Sequence, residues 1–336
     1  MPNILDVFSG DAYDVYHMSA AITKAPFVPM RVSQLGLFSS EGSTSTLVAI
    51  EEEAGVLKLY PTRTRGGPPV LESANKTKVR PFACSHIPVR DTIKADDIQN
   101  KRAFGTADQM ETIANVVAKR IKKIRQGFEA TREFMMAQAL QGIVTDAEGT
   151  TVNNLFTQFE VPQPAEVDFV LGTSTTNLEA KALEIVDSIE RKMLGAAPYD
   201  HIHAFCGPTW FRAFCNHAEL KYDFDRWKEG QWHREDKRRG FPWQGIVWEE
   251  YPFQSNNSTP FVPHNKAIFF PVGSQDLFRV VYAPADYIET VNTEGQEFYA
   301  KQRVLPFDKG IEIEAQSNPL YICTRPEALR VGITSN

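Results

Sequence analysis

The sequence predicts an α+β fold, and three observations predict it. Residues 107 to 141 carry apolar side chains at helical spacing over an unusual length. Short runs rich in branched and aromatic residues recur through the second half. The two kinds of segment do not alternate regularly, as a doubly wound parallel sheet would require. With 336 residues, 42% of them apolar and 11% aromatic, and with 20 Gly and 21 Pro, the composition is that of a globular chain, whose length favours two domains over one core.

Residues 1 to 40 hold Pro26 and Pro29 and show no sustained period, which predicts an extended arm with at most a short helix. Thr46 to Glu51 and Val56 to Tyr60 read as the two strands of a hairpin turned at Glu53-Ala54-Gly55. Pro61 to Pro81 carries Arg63, Arg65, Gly66, Gly67, Lys76, Lys78 and Arg80 but offers only Val70, Leu71 and Val79 for burial. Ordering each residue costs about 1–2 kcal/mol, so this segment either stays disordered or lies against something else.

In the long helix, Ile113, Val117, Ile121, Ile124, Phe128, Met135 and Ala139 share an arc of roughly 80°, opposite Lys119, Lys122 and Lys123. At 1.5 Å per residue the rod spans on the order of 50 Å, about three times the mean helix length, which a compact domain rarely needs. The lysines read as a solvated face, with contact to an internal polyanion as the alternative. After the turn-like phrase Asp146-Ala147-Glu148-Gly149 come a strand at Val152 to Val161, a linker at Pro162-Gln163-Pro164 and a helix at Asn177 to Met193. His201 to Cys206 reads as a strand, and Thr209 to Ala218 as a helix entered through Pro208, where a first-turn proline is tolerated. Further strands are expected at Ile246 to Glu250, Ala267 to Pro271, Leu277 to Tyr282, Phe298 to Val304 and Ile311 to Gln316.

Charge narrows the function. Lys plus Arg number 36 against 42 acidic residues, a net of −6, so the cationic excess of a phosphate-binding protein is missing. The four cysteines are spread too widely for a disulfide framework, and the first twenty residues lack the basic start of a signal peptide. No run approaches the ~18 apolar residues of a membrane span. A soluble protein made in the cytoplasm is expected, with no membrane association.

No phosphate loop, GxGxxG, GxSxG or HExxH is present, so no enzyme and no cofactor is expected. His201, His203, Cys206, Cys215 and His217 are the one cluster of soft metal ligands. On a strand His201 and His203 share a face, but on a helix Cys215 and His217 stand about 200° apart, so ordinary packing is favoured over zinc. All five tryptophans, Trp210, Trp227, Trp232, Trp243 and Trp248, fall close together around a basic run that includes Arg238 and Arg239. Aromatic residues mixed with arginine read as a self-association surface, with core packing and single-strand nucleic-acid stacking as alternatives.

An arm, a β extension without a core, an over-long helix and no catalytic motif fit a subunit whose extensions lie on its neighbours. Seven phrases add a resemblance: Leu35-Gly36-Leu37-Phe38, Arg65-Gly66-Gly67, Arg102-Ala103-Phe104-Gly105, Thr131-Arg132-Glu133, Asp146-Ala147-Glu148-Gly149, Val291-Asn292-Thr293-Glu294-Gly295 and Gln316-Ser317-Asn318-Pro319-Leu320. In this order, from about residue 20 to the C-terminus, they resemble the major capsid protein family of lambda-type tailed phages, the phage major capsid protein E family.

That resemblance implies the tailed-phage major capsid shell fold. Residues 1–43 would be an N-terminal arm, 44–105 an extended β loop, and 106–165 a spine helix with the first part of a peripheral domain. Residues 166–284 would form an axial domain and 285–336 the second part of the peripheral domain. It also implies a virion shell of hexamers and pentamers that encloses DNA, assembled in the host cytoplasm with a separate scaffolding protein and a portal as further partners, and leaves open whether a decoration protein is among them. Assembly contacts are then expected at Arg63, Arg65, Gly66, Gly67, Trp227, Trp232, Arg238 and Arg239, with Ile113, Val117, Ile121, Ile124 and Phe128 packing the spine helix. An encapsulin-like nanocompartment is the alternative within this fold, and a metal-dependent enzyme on His201, His203 and Cys206 the alternative outside it.

Overall fold

The structure, a computed structural model, describes residues 15–25, 30–52, 78–97, 113–193, 198–226, 237–255, 259–274 and 277–335. The N-terminal segment holds two helices, α1 (Val15–Lys24) and α2 (Arg31–Leu35), where an extended arm with at most one short helix was expected. Val15, Met18 and Ile22 recur at helical spacing and are buried, so α1 is an amphipathic helix that pays for its ordering by packing. Strands β1 (Phe38–Gly42), β2 (Leu47–Glu52), β3 (Lys78–Ala83) and β4 (Ile87–Lys94) follow.

Of the hairpin expected within residues 46–60, only the first strand lies among the described residues, and its described partner is a later segment. β2 runs antiparallel to β3, from Leu47 opposite Ala83 to Glu52 opposite Lys78, so the ribbon closes across a much longer segment. Val56 to Tyr60 and the turn before them lie outside the described residues.

Helix α3 (Ile113–Ala139) is the long rod. Its length has a physical reason, because it serves two cores. Val117, Ile121, Ile124 and Phe128 pack with Met18 and Ile22 of α1 and with a three-stranded sheet. That sheet joins β4 to β14 (Gly310–Ser317) and β13 (Tyr299–Val304), in the order β13-β14-β4. Farther along, Phe134 to Ala137, Ala139 and Leu140 enter the larger core. Ile113 is the first residue of the helix, and its side chain lies outside the described ones; Lys119, Lys122 and Lys123 are exposed. Ile121→Asp should therefore bury an unpaired charge and cost several kcal/mol, whereas Lys122→Ala should be nearly neutral. Equal losses in circular-dichroism melts would contradict this register.

After α3 come β5 (Ile143–Thr145), β6 (Thr151–Asn154) and the short helix α4 (Leu155–Gln158), then β7 (Val167–Asp168). The strand expected at 152–161 is cut short because Asn154 caps α4, its Oδ1 accepting from the Thr157 N–H at 3.2 Å. Helix α5 (Leu178–Met193) is capped by Asn177, whose Oδ1 accepts from the Ala180 N–H at 2.7 Å.

The larger core lies around a six-stranded sheet built by β7, β8 (His201–Cys206), β9 (Phe241–Trp243), β10 (Ile246–Glu250), β11 (Lys266–Val272) and β16 (Arg330–Ile333). Its order is β7-β16-β11-β8-β10-β9, with β8 and β10 parallel. Helices α6 (Pro208–Asn216) and α7 (Ala218–Arg226) follow β8. Gly207 makes the strand-to-helix step possible, since a Cβ there would sit 2.1 Å from the Pro263 carbonyl oxygen. A further sheet, β1-β12-β15, joins β12 (Phe278–Tyr282) to β15 (Pro319–Cys323) and to the arm strand β1. Strand β16, expected with residues 285–336 in a peripheral unit, pairs with β11 and so returns the C-terminal segment to the six-stranded sheet.

Candidate assembly interface

Two kinds of feature stand out: a buried polar hub where the arm meets the body, and apolar side chains on projecting β elements.

The hub is built from three elements. Helix α2 has Met30 at its N-cap, which supplies no side-chain cap. The carboxylate of Glu133, fully buried on α3, does the capping instead. It accepts from the Val32 N–H at 2.6 Å, the Ser33 N–H at 3.1 Å and the Ser33 hydroxyl at 2.8 Å. The Tyr251 hydroxyl donates to the same carboxylate at 2.7 Å. With its acceptor sites filled, a buried carboxylate becomes tolerable. Beside it, Arg31 forks onto Glu249 of β10, donating from Nε at 2.6 Å and Nη2 at 2.9 Å, and His203 of β8 meets Glu249 Oε2 at 3.1 Å. Burial alone would raise the Glu249 carboxyl, but the hydrogen bonds from His203 and Arg31 outweigh it and hold the group below its ordinary value. Burial likewise pushes the Tyr251 phenol well up, aided by Glu133. Sequence reading missed this hub, although Glu133 inside an apolar helical run and Glu249 at the end of an apolar strand are the kind of isolated charge that marks one.

The same geometry engages two of the candidate metal ligands elsewhere. His203 is committed to Glu249. His217 is spent on both sides: Nε2 donates to the Thr173 carbonyl at 2.9 Å and Nδ1 accepts from the Glu219 N–H at 3.3 Å. Burial pushes the Cys206 thiol well up and the Cys215 thiol to about 11, away from the thiolate a metal would take. Among the described residues no group of three or more candidate ligands could hold a metal ion.

The self-association reading of the tryptophans is corrected for the three that are described. Trp210 and Trp248 are fully buried, stacked at 5.8 Å between ring centroids, with Phe214 over Trp248 at 4.3 Å. Trp243 donates from Nε1 to Asp223 at 3.1 Å, and its carbonyl accepts from Trp248 Nε1 at 3.0 Å. The cause is register: Trp210 and Phe214, four apart on α6, face the side of β10 that carries Trp248, so these rings are core. Arg238 and Arg239 are exposed in a turn before β9, while Trp227, Trp232, Arg63, Arg65, Gly66 and Gly67 lie outside the described residues.

The second feature is on the projections. The ribbon β2–β3 is seated at its base by Phe82, whose ring is 5.3 Å from that of Phe159, and by Arg80, which donates to the Gln158 carbonyl at 2.8 Å. On its open side Leu47 and Val79 are about 60% exposed. The β13–β14 hairpin ends at Phe307, 90% exposed and at φ 62°. A bulky side chain in the left-handed region is costly, and so is an aromatic ring left in water. Beside this hairpin, tied to it by a Lys301–Glu289 ion pair at 2.6 Å, a turn presents Ile288 at 93% exposure and Val291 at 62%.

Comparison with known proteins places these features. Residues 14–333 match the family model for phage major capsid protein E. The chain is 28% identical to the major capsid protein of Pseudomonas phage KPP10 over 321 residues, covering 89% of this chain and 90% of that one. It is 27% identical to the major capsid protein of Salmonella phage Felix O1 over 331 residues, with the same coverage. Among solved structures, the capsid of cyanophage P-SCSP1u superposes with a TM-score of 0.52 at 10% identity, over 93% of this chain and 90% of that one. The capsid of Ralstonia phage GP4 gives 0.51 at 10% identity, over 86% and 83%. The fold is thus the tailed-phage capsid fold, and the family match spans nearly the whole chain. This chain belongs to the phage major capsid protein E family, the structural subunits of the phage head shell.

Proposed function

We propose that this chain builds a closed icosahedral head from hexamers and pentamers of itself, around DNA that it touches only weakly. One observation carries this reading beyond family membership. The largest exposed apolar side chains at its projections, Leu47 and Val79 on the β2–β3 ribbon, Phe307 at the tip of the β13–β14 hairpin and Ile288 on the turn beside it, lie outside both cores, where an isolated subunit gains nothing from them. Burial against a neighbour would recover that cost once per subunit and repeat it over every copy of the shell. In this layout α1, α2 and β1 are the N-arm and β2–β3 is the base of the extended loop. The first part of α3 and the β13-β14-β4 sheet form the peripheral domain, and the six-stranded sheet forms the axial domain, with β16 crossing back into it. A separate scaffolding protein guides assembly in the host cytoplasm, and a portal occupies one vertex. The chain is a structural subunit, without catalysis.

Phe307→Asp tests the reading. Aspartate tolerates the left-handed backbone better than phenylalanine and no core contact is lost, so the melting curve should match the parent chain. Sedimentation and negative-stain microscopy should then show closed shells from the parent chain and only free subunits or small oligomers from the variant. Shells formed by the variant at the parent's yield would refute a contact at this tip.

A further inference from the structure

His203 is only 2% exposed, and its environment is asymmetric. A carboxylate can only accept, so the Nε2 atom that meets Glu249 at 3.1 Å carries the proton in the neutral ring. Nδ1 is buried, and the described residues give it no hydrogen-bond partner. A bare acceptor there is tolerable, whereas an N–H would be a buried donor with nothing to receive it. The ring's other neighbours offer no relief. Phe205 and Phe270 pack against it at 4.9 and 5.6 Å between centroids. The charged and titratable groups facing it are Glu249 from β10, Arg31 from α2 and His201 from its own strand, with Glu133 and Tyr251 next in the network. Arg31 already forks onto both oxygens of Glu249, so an imidazolium would compete with a guanidinium for one carboxylate.

We propose that Arg31, Glu249 and His203 form a proton-sensitive latch holding the arm helix α2 on the six-stranded sheet, and that protonation of His203 releases α2 while the sheet stays folded. The latch is the sheet-side polar part of the arm's attachment, beside the Glu133 cap and the buried Val32 side chain. Opening it hydrates His203 and gives Nδ1 water to donate to, so the open form binds the proton more readily than the closed one.

The sign follows from linkage. Burial holds His203 below its ordinary 6.5, so its contribution is complete above that value and is lost as pH falls below it. Glu249, held below its ordinary 4.5, stays charged through this window and loses its own contribution only in stronger acid. The arm should therefore loosen in mild acid, before Glu249 titrates.

Hydrogen–deuterium exchange on the full-length chain, corrected for intrinsic rates, reads this at the amides of 31–36, which include those bonded to Glu133. Between about pH 7.5 and about pH 5.5, protection there should fall about tenfold, while the β8 and β10 amides keep theirs. His203→Gln retains a donor for Glu249 and cannot titrate, so its arm protection should not change over this range. Arg31→Ala should lower arm protection about tenfold at both values, since a charge-assisted fork is lost. The latch is refuted if the parent chain shows no pH response at 31–36, if the sheet amides lose protection in parallel, or if the response survives in His203→Gln. Should that variant fail to fold, undiminished arm protection in Arg31→Ala refutes it alone.

Discussion

Trp248→Ala is expected to cost about 3–5 kcal/mol of subunit stability. Trp248 is fully buried on β10 at the meeting point of five aromatic neighbours: Trp210 stacked at 5.8 Å, Phe214 at 4.3 Å, Trp243 tilted at 6.1 Å, and Phe169 and Phe269 edge-on at 6.2 and 5.4 Å. Truncation removes the ring's transfer free energy and leaves a cavity that stacked planar neighbours on a sheet and a helix fill poorly. It also removes the Nε1 donor that satisfies the Trp243 carbonyl. Leu183→Ala, on the exposed side of α5, is the comparison and should stay within about 0.5 kcal/mol. Urea denaturation measures both, and similar midpoints would mean that the aromatic cluster is not the core of this domain.

Replacing residues 62–76 with a short Gly/Ser linker is expected to leave a cooperatively folding subunit that no longer makes closed particles. The described base of the ribbon keeps its own anchors, Phe82 against Phe159 and Arg80 on the Gln158 carbonyl, so folding does not depend on the segment removed. That segment brings Arg63 and Arg65 beside Gly66 and Gly67, charged contacts on a permissive backbone, and only Val70 and Leu71 to bury. Contacts of this kind are weak singly and decisive when repeated around a shell. Arg63→Glu with Arg65→Glu should weaken assembly and make it more sensitive to salt. Sedimentation distinguishes the outcomes, and normal shells from the linker variant would make this segment decoration.

What was legible in the sequence is what depends on local period. The long helix announced itself because its apolar face repeats over many turns, and Ile246 to Glu250 because a short apolar run between turn residues has few alternatives. Non-local choices were not legible. The partner of Leu47–Glu52 is set by where Lys78–Ala83 is anchored on α4, and a nearer apolar run at Val56 to Tyr60 looked the better mate. Strand β4 escaped notice because Asp91 stands in the apolar phase of Ile87, Val89 and Ile93 and a proline lies between the first two, and β15 because it is five residues long and begins at proline. Helix α1 was hidden by its brevity and by the prolines that follow it. The tryptophans misled because clustering in sequence says nothing of which way each ring points; Trp210 and Trp248 point inward. At the hub, Arg31, Glu133, His203 and Glu249 come from four distant segments, and only the fold brings them together.

Whether this chain builds its shell through these projections is decided by electron microscopy of the full-length protein assembled together with its scaffolding protein, with image reconstruction of the particles. Closed icosahedral shells are expected, with five-fold and six-fold capsomers, Phe307 buried at a contact between subunits and the β2–β3 extension lying across a neighbour. Monomers or open aggregates at every concentration, or shells in which Phe307 and the extension face solvent, would contradict assembly through these projections.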